Sequence, residues 1–266
     1  MDGWLPVFST LLSFLPTVVL LLTVVSLFEH GGFTLAFGCT TLAVANMERT
    51  DPARERALAR FMTFVPCTAK LPVLMFLCGV ILSWTAWGVA FLYIFAVFVA
   101  MIFGGGAVQI PKFRPISISN LTKSIAINVL QFLKRISAGL VLAVTALYTL
   151  QYFGLLVPIA AIVAPMFAPI GLDTPAIVIA LLFGLVAKEM IIGVILSFGV
   201  GAIALTTPCA LSFAVFVLLY TPCLPALTAL RARFGFAFAA RTAVFNFTFA
   251  YAVAFVAYMT AVLLTI

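Results

Sequence analysis

Two adjacent charges, Lys188 and Glu189, split an apolar run that covers residues 175–197. A charge at that depth in a hydrocarbon layer costs about 3 kcal/mol or more unless it is paired or hydrated, so such residues normally face a bundle interior or a water-filled path. An ion pair that only fixes helix packing is the competing account. It is weakened because neighbours on a helix point about 100° apart, and a functional role is expected. Lys70, just after Pro66-Cys67, is a second charge inside an apolar segment. A pathway role and snorkelling of its long stem to an interface both account for it. Glu29-His30 close the first apolar run ahead of Gly31-Gly32. A helix end at the interface explains both residues, and metal ligation by Glu29 is the alternative.

The five cysteines, 39, 67, 78, 209 and 223, lie in or beside apolar stretches without the paired close spacing of a disulfide framework. Taken singly, such a cysteine behaves as a small buried hydrophobe. Two of them carry more context. Phe64-Val65-Pro66-Cys67 and Tyr220-Thr221-Pro222-Cys223 repeat one local pattern, an aromatic, one residue, then Pro-Cys, with Pro72 and Pro225 soon after. Proline removes a backbone hydrogen bond and frees a carbonyl. Paired, proline-interrupted hydrophobic segments in two halves of a chain mark a central site in membrane transporters. Chance similarity within an apolar chain is the rival explanation for a four-residue echo. Thiolate sulfur with freed carbonyls suits a soft or borderline divalent metal. Cys39, in the turn Phe37-Gly38-Cys39, shares that setting, whereas Cys78 and Cys209 do not.

The elements that must position these residues are transmembrane helices. Of the 266 residues 65% are hydrophobic and 8% charged, against about 45–50% and about 25% in soluble chains. Seven apolar segments, 5–28, 58–80, 84–103, 136–156, 174–199, 208–229 and 238–263, are each long enough to cross a bilayer. The first lacks a basic leader and a cleavage site, and reads as an uncleaved span. The stretch 117–135 sets Ile118, Leu121, Ile125, Val129 and Phe132 opposite Asn120, Lys123, Asn128, Gln131 and Lys134, which predicts an amphipathic helix lying in the interface. Pro158, Pro165 and Pro169 reduce 155–172 to a short broken helix.

The net charge of +7 comes mainly from Lys and Arg between spans, which the positive-inside rule explains without nucleic acid. If all seven segments cross, nine basic residues between Arg49 and Arg135 fall on one side and Arg231, Arg233 and Arg241 on the other. That misfit disappears if one late segment enters and returns on the same side. The best candidate is 208–229, with Pro222 and Pro225. Chemistry on nucleotides is not expected, since Gly104-Gly105-Gly106 is followed by Ala-Val-Gln rather than a phosphate-loop Lys. One histidine, and neither H-E-x-x-H nor G-x-S-x-G, leaves no catalytic site to name.

These residues resemble the membrane portion of the ferrous iron transport protein B family, FeoB. Its first gate, Gly-Phe-Gly-Cys and then Ser-Cys-Ser-Ala-Arg-Leu-Pro-Val, is similar to Ala36-Phe37-Gly38-Cys39 and Pro66-Cys67-Thr68-Ala69-Lys70-Leu71-Pro72-Val73. Between them, Asp51-Pro52-Ala53-Arg54-Glu55-Arg56 resembles the family's acidic, arginine-rich stretch. The family's Phe-Gly-x-x-Ala-Lys-Glu is matched by Phe183-Gly184-Leu185-Val186-Ala187-Lys188-Glu189. Its second gate resembles Leu211-Ser212-Phe213 followed by Leu218-Leu219-Tyr220-Thr221-Pro222-Cys223. Thr40-Thr41-Leu42 stand where Asn-x-Pro is usual, Lys70 stands in place of the gate Arg, and no GTP-binding domain is present in these residues.

The resemblance implies an all-α polytopic bundle forming one transmembrane permease domain over 1–266, with gate-like segments at about 36–80 and 174–230. It implies Fe²⁺ or a related divalent metal as transported substrate, with no permanently bound cofactor and no enzymatic activity. Cys39, Cys67, Cys223 and Glu189 are the expected metal ligands. Glu29, Pro66, Lys70, Lys188 and Pro222 are the expected pathway and gate residues. The expected partners are the lipid of a bacterial or archaeal inner membrane, a separate GTP-binding protein or small accessory subunit, and further copies of the chain. A permease for a non-metal solute and a non-transporting membrane subunit remain the alternatives.

Overall fold

The computed structural model describes residues 39–47, 51–67, 70–77, 86–104, 145, 149–186, 188, 190–198 and 206–265, and all regular structure among them is helical. The apolar segment 5–28, the amphipathic stretch 117–135, most of segment 136–156, and Glu29, His30, Cys78 and Glu189 lie outside the described residues.

The first described helix, α1 (Thr40–Asn46), follows an extended Cys39. The next, α2 (Pro52–Phe64), is started by Asp51, whose carboxylate accepts from the N–H groups of Ala53 and Arg54 at 3.2 and 3.4 Å. Pro52 takes the first position, where its missing N–H leaves nothing unsatisfied. Helix α2 stops at Phe64 because the residue ahead of a proline is pushed to extended backbone, and Val65 has ψ 127°. Then come α3 (Lys70–Phe76) and α4 (Ala86–Gly104). Further on, α5 (Leu156–Val163) tightens into a 3-10 turn at Ala164–Ile170 and is followed by α6 (Pro175–Val186) and α7 (Met190–Phe198). The chain closes with α8 (Thr207–Leu219), α9 (Leu224–Phe234) and α10 (Phe236–Thr265).

Two stretches are long and apolar enough to cross a membrane, Thr207–Phe234 with 28 residues and Phe236–Leu264 with 29. At about 1.5 Å per residue each exceeds the roughly 30 Å hydrocarbon core. Together they form an antiparallel hairpin closed at Gly235, whose φ of +88° suits glycine. Its register is fixed where Thr221 Oγ1 donates to the Ala243 carbonyl at 3.2 Å and where Ser212 Oγ lies 3.3 Å from the Ala254 carbonyl. The first stretch is central, 72% buried along its most apolar window, and the second is peripheral at 11%. Phe91, Ile94, Phe98, Met101 and Ile102 on α4 and Val256, Leu263 and Leu264 on α10 face outward. Apolar surface of that extent belongs against lipid, and the fold is a helical membrane bundle.

Two expectations are corrected. The segment 208–229 does not double back: α8 and α9 follow one another without a sharp bend, as a stretch long and apolar enough to cross, despite Pro222 and Pro225. The sharp turn lies earlier, where Leu156–Ile170 meets Pro175–Val186 at 96°. Gly171, with φ +72° and the Tyr258 ring against it, makes that corner, and Ser212 Oγ donates to the Ile170 carbonyl at 2.7 Å to hold it. The run 174–199 is not one helix either. Helix α6 ends at Val186, Lys188 lies in a turn, and α7 starts at Met190. Gly184 permits the fold-back, since a Cβ there would stand 2.5 Å from Ile191 Cγ1 and 2.8 Å from Tyr220 Oη.

The late arginines nevertheless share an end of the bundle with the early ones. Arg233 pairs with Glu55 at 3.4 Å and donates to the Val44 carbonyl at 3.2 Å, while Arg60 lies over the Phe238 ring at 5.7 Å.

Candidate functional site

Proline decides where this bundle has backbone to offer. In α8 the Leu218 carbonyl would accept from the N–H four residues on, but that residue is Pro222, which has none. The Lys70 ammonium, at the start of α3, donates to the Leu218 carbonyl instead. In α2 the same rule frees the Met62 carbonyl, four residues before Pro66, and Thr40 Oγ1 reaches it at 3.5 Å. In the 3-10 turn, where the spacing is three, Pro169 frees the Met166 carbonyl, which accepts from Tyr251 Oη at 2.8 Å. Neither a dry interior, at Met62 and Leu218, nor a lipid-facing surface, at the exposed Met166, tolerates an unsatisfied carbonyl, so each of these breaks recruits a side chain from another helix. The first residue of α3 thus closes the break that follows α8.

The charged pair beside this contact is fully interior. Lys70 is 2% exposed and Lys188 3%, which excludes the snorkelling account of Lys70. Lys188, in the turn between α6 and α7, stands over the face of Tyr220 at 4.5 Å from the ring centroid, two residues beyond the Leu218 carbonyl that Lys70 holds. The aromatic face stabilises a cation there, and Tyr220 is itself stacked on Phe216 at 5.5 Å. Two ammonium groups this close repel one another, so an anionic group must accompany them whenever both are charged.

Three thiols stand where helices start or break. Cys223 opens α9, Cys39 opens α1, and Cys67 lies in the break between α2 and α3. The contacts therefore place Lys70 and Lys188 at the end of α8, just ahead of Pro222-Cys223, while Pro66-Cys67 lie ahead of Lys70. Among the described residues no three His, Cys, Asp or Glu side chains are placed to hold one metal ion. Cys209 is elsewhere, accepting from Thr206 Oγ1 at 3.0 Å on an exposed helix start.

The sequence alone does not single out the two hydroxyl side chains that complete the breaks, Thr40 and Tyr251, or the Leu218 carbonyl. The usable signal was the proline itself, because counting back four residues from Pro66 and Pro222 names both carbonyls.

A family model described as "Gate: Nucleoside recognition" matches residues 89–237. Over 265 residues the chain is 26% identical to the Fe(2+) transporter FeoB of Methanocaldococcus jannaschii, an alignment covering 84% of this chain and 40% of that protein. The chain thus spans about two-fifths of the length of the curated relative it matches. No solved structure matches it.

Proposed function

The chain belongs to the Gate nucleoside-recognition family, and from that premise we propose that it is a membrane permease that moves ferrous iron or a related divalent metal between its two proline-broken helix pairs. One observation carries the reading: Lys70 Nζ donates to the Leu218 carbonyl that Pro222 frees, in the break that ends at Cys223, and Cys39 and Cys67 are the further thiols of the proposed site. A carbonyl that holds an ammonium in a dry interior offers the same oxygen to a metal ion, and displacing Lys70 opens the position. Softer thiolate ligands then favour Fe²⁺ over Mg²⁺ or Ca²⁺. Glu189 supplies the anionic charge that the two lysines and an incoming ion require. The iron transporter similar to this chain supports the same choice of solute.

On this reading the chain works as a single permease domain in a bacterial or archaeal inner membrane, binds no permanent cofactor and catalyses no reaction. A separate GTP-binding protein, a small accessory subunit or further copies of the chain are its partners besides lipid. The two buried ammonium groups of Lys70 and Lys188 favour a second reading, a small non-metal solute.

The test is ferrous iron uptake by the purified chain in proteoliposomes. Cys67→Ser, Cys223→Ser and Glu189→Gln are each expected to lower uptake at least tenfold, and Cys78→Ser and Cys209→Ser to leave it nearly unchanged. A tenfold loss of affinity corresponds to about 1.4 kcal/mol, so removal of one ligand is measurable. Iron-independent behaviour of all five variants would return the cysteines to packing roles.

A further inference from the structure

Helix α10 contributes a polar group that none of the motifs contains. Asn246 is 0% exposed, and neither its Oδ1 nor its Nδ2 has a hydrogen-bond partner. Its neighbours fix where it points. At about 100° per residue, position 243 lies about 60° to one side of Asn246 and position 249 about 60° to the other. On the first side the Ala243 carbonyl accepts from Thr221, within the α8–α9 break. On the second, the Phe249 ring packs edge-on against Phe64, the last residue of α2, at 5.6 Å. Phe245 also meets Phe64, at 6.1 Å, and Phe247 meets Phe216 in the last turn of α8, at 5.8 Å. Asn246 therefore faces the space between the two proline breaks.

A buried amide without partners destabilises a fold, and a leucine of similar size would remove that penalty. We propose that the Asn246 side-chain amide is a ligand of the transported divalent cation, taking the ion or one of its retained waters through Oδ1 as it passes between the Pro66 and Pro222 breaks; this rests on the permease reading above. A neutral oxygen suits that position because conduction needs binding strong enough to admit an ion and weak enough to release it. Thiolates and carboxylates alone would hold a divalent ion too firmly.

Three measurements on the full chain test this: Fe²⁺ uptake in proteoliposomes, the unfolding temperature in detergent, and the rise of that temperature on adding Fe²⁺. Asn246→Leu is expected to lower uptake at least tenfold at low Fe²⁺, to unfold at the same or a higher temperature, and to lose most of the Fe²⁺-induced rise. Asn246→Asp, which keeps an oxygen in place but makes it a carboxylate, is expected to keep or enlarge the Fe²⁺-induced rise while lowering uptake, and loss of the Fe²⁺-induced rise in this variant would also overturn the proposal. Wild-type uptake by Asn246→Leu, or a lower unfolding temperature for it, would overturn the proposal and leave the permease reading standing. No uptake by the unsubstituted chain would remove both.

Discussion

Lys70 shows how a residue that looks like a liability becomes structural. Its ammonium replaces the N–H that Pro222 lacks, so the two are one unit although 148 positions separate Lys70 from Leu218. Lys70→Met would leave that carbonyl buried and unpaired, which costs about 1–3 kcal/mol. Lys70→Arg keeps a donor and should retain more of the stability. Thermal unfolding of both variants in detergent checks the order, and equal loss would mean that the contact contributes nothing beyond packing. The sequence made Lys70, Lys188, Cys67 and Cys223 legible because charge and proline are conspicuous in an apolar run. Asn246 was not, since an amide among Phe245, Phe247 and Phe249 carries no motif, and only burial without a partner singles it out.

At the scale of elements, hydropathy locates the helices but not where they are interrupted. Period and hydropathy show that 174–199 is apolar enough to cross, but they do not show that Lys188 leaves the helix to meet Tyr220, a contact between residues 32 apart. Hydropathy likewise could not choose which late segment turns sharply. Pro222 was blamed, yet α8 and α9 stay in one span because Lys70 satisfies the break, whereas Gly171 allows the 96° corner. Gly184 is the point on which the fold-back depends. Gly184→Ala would push its Cβ into Ile191 and Tyr220 at 2.5 and 2.8 Å, forcing α7 outward and moving the ring from beneath Lys188. Overpacking of this kind costs about 1–3 kcal/mol. The variant should therefore unfold at a lower temperature than Gly193→Ala, where a Cβ meets nothing within 4 Å, and matching unfolding curves for the two would show that α6 and α7 are not closely apposed.

For the whole molecule, the sequence predicted a charge asymmetry whose exception was the three late arginines, and contacts between distant helices remove the exception. Arg233 meets Glu55, and Arg60 lies over Phe238, so Arg54, Arg56 and Arg60 on α2 share an end with Arg231, Arg233 and Arg241. Asp173 belongs to the other end: it follows Gly171, which lies against Tyr258, and Tyr258 is about 33 Å along α10 from Phe236 at about 1.5 Å per residue. Basic residues near span ends are retained on the cytoplasmic side, so the bundle is expected to lie with the α9–α10 turn inside and the corner before α6 outside. In a chain whose five native cysteines are serine, Arg54→Cys and Arg231→Cys are expected to react with a membrane-impermeant thiol reagent only after the membrane is opened. Asp173→Cys is expected to react in intact cells. Labelling of positions 54 and 231 from opposite sides would contradict the Arg233–Glu55 contact and with it the shared end, while labelling of all three from one side would contradict the span assigned to α10.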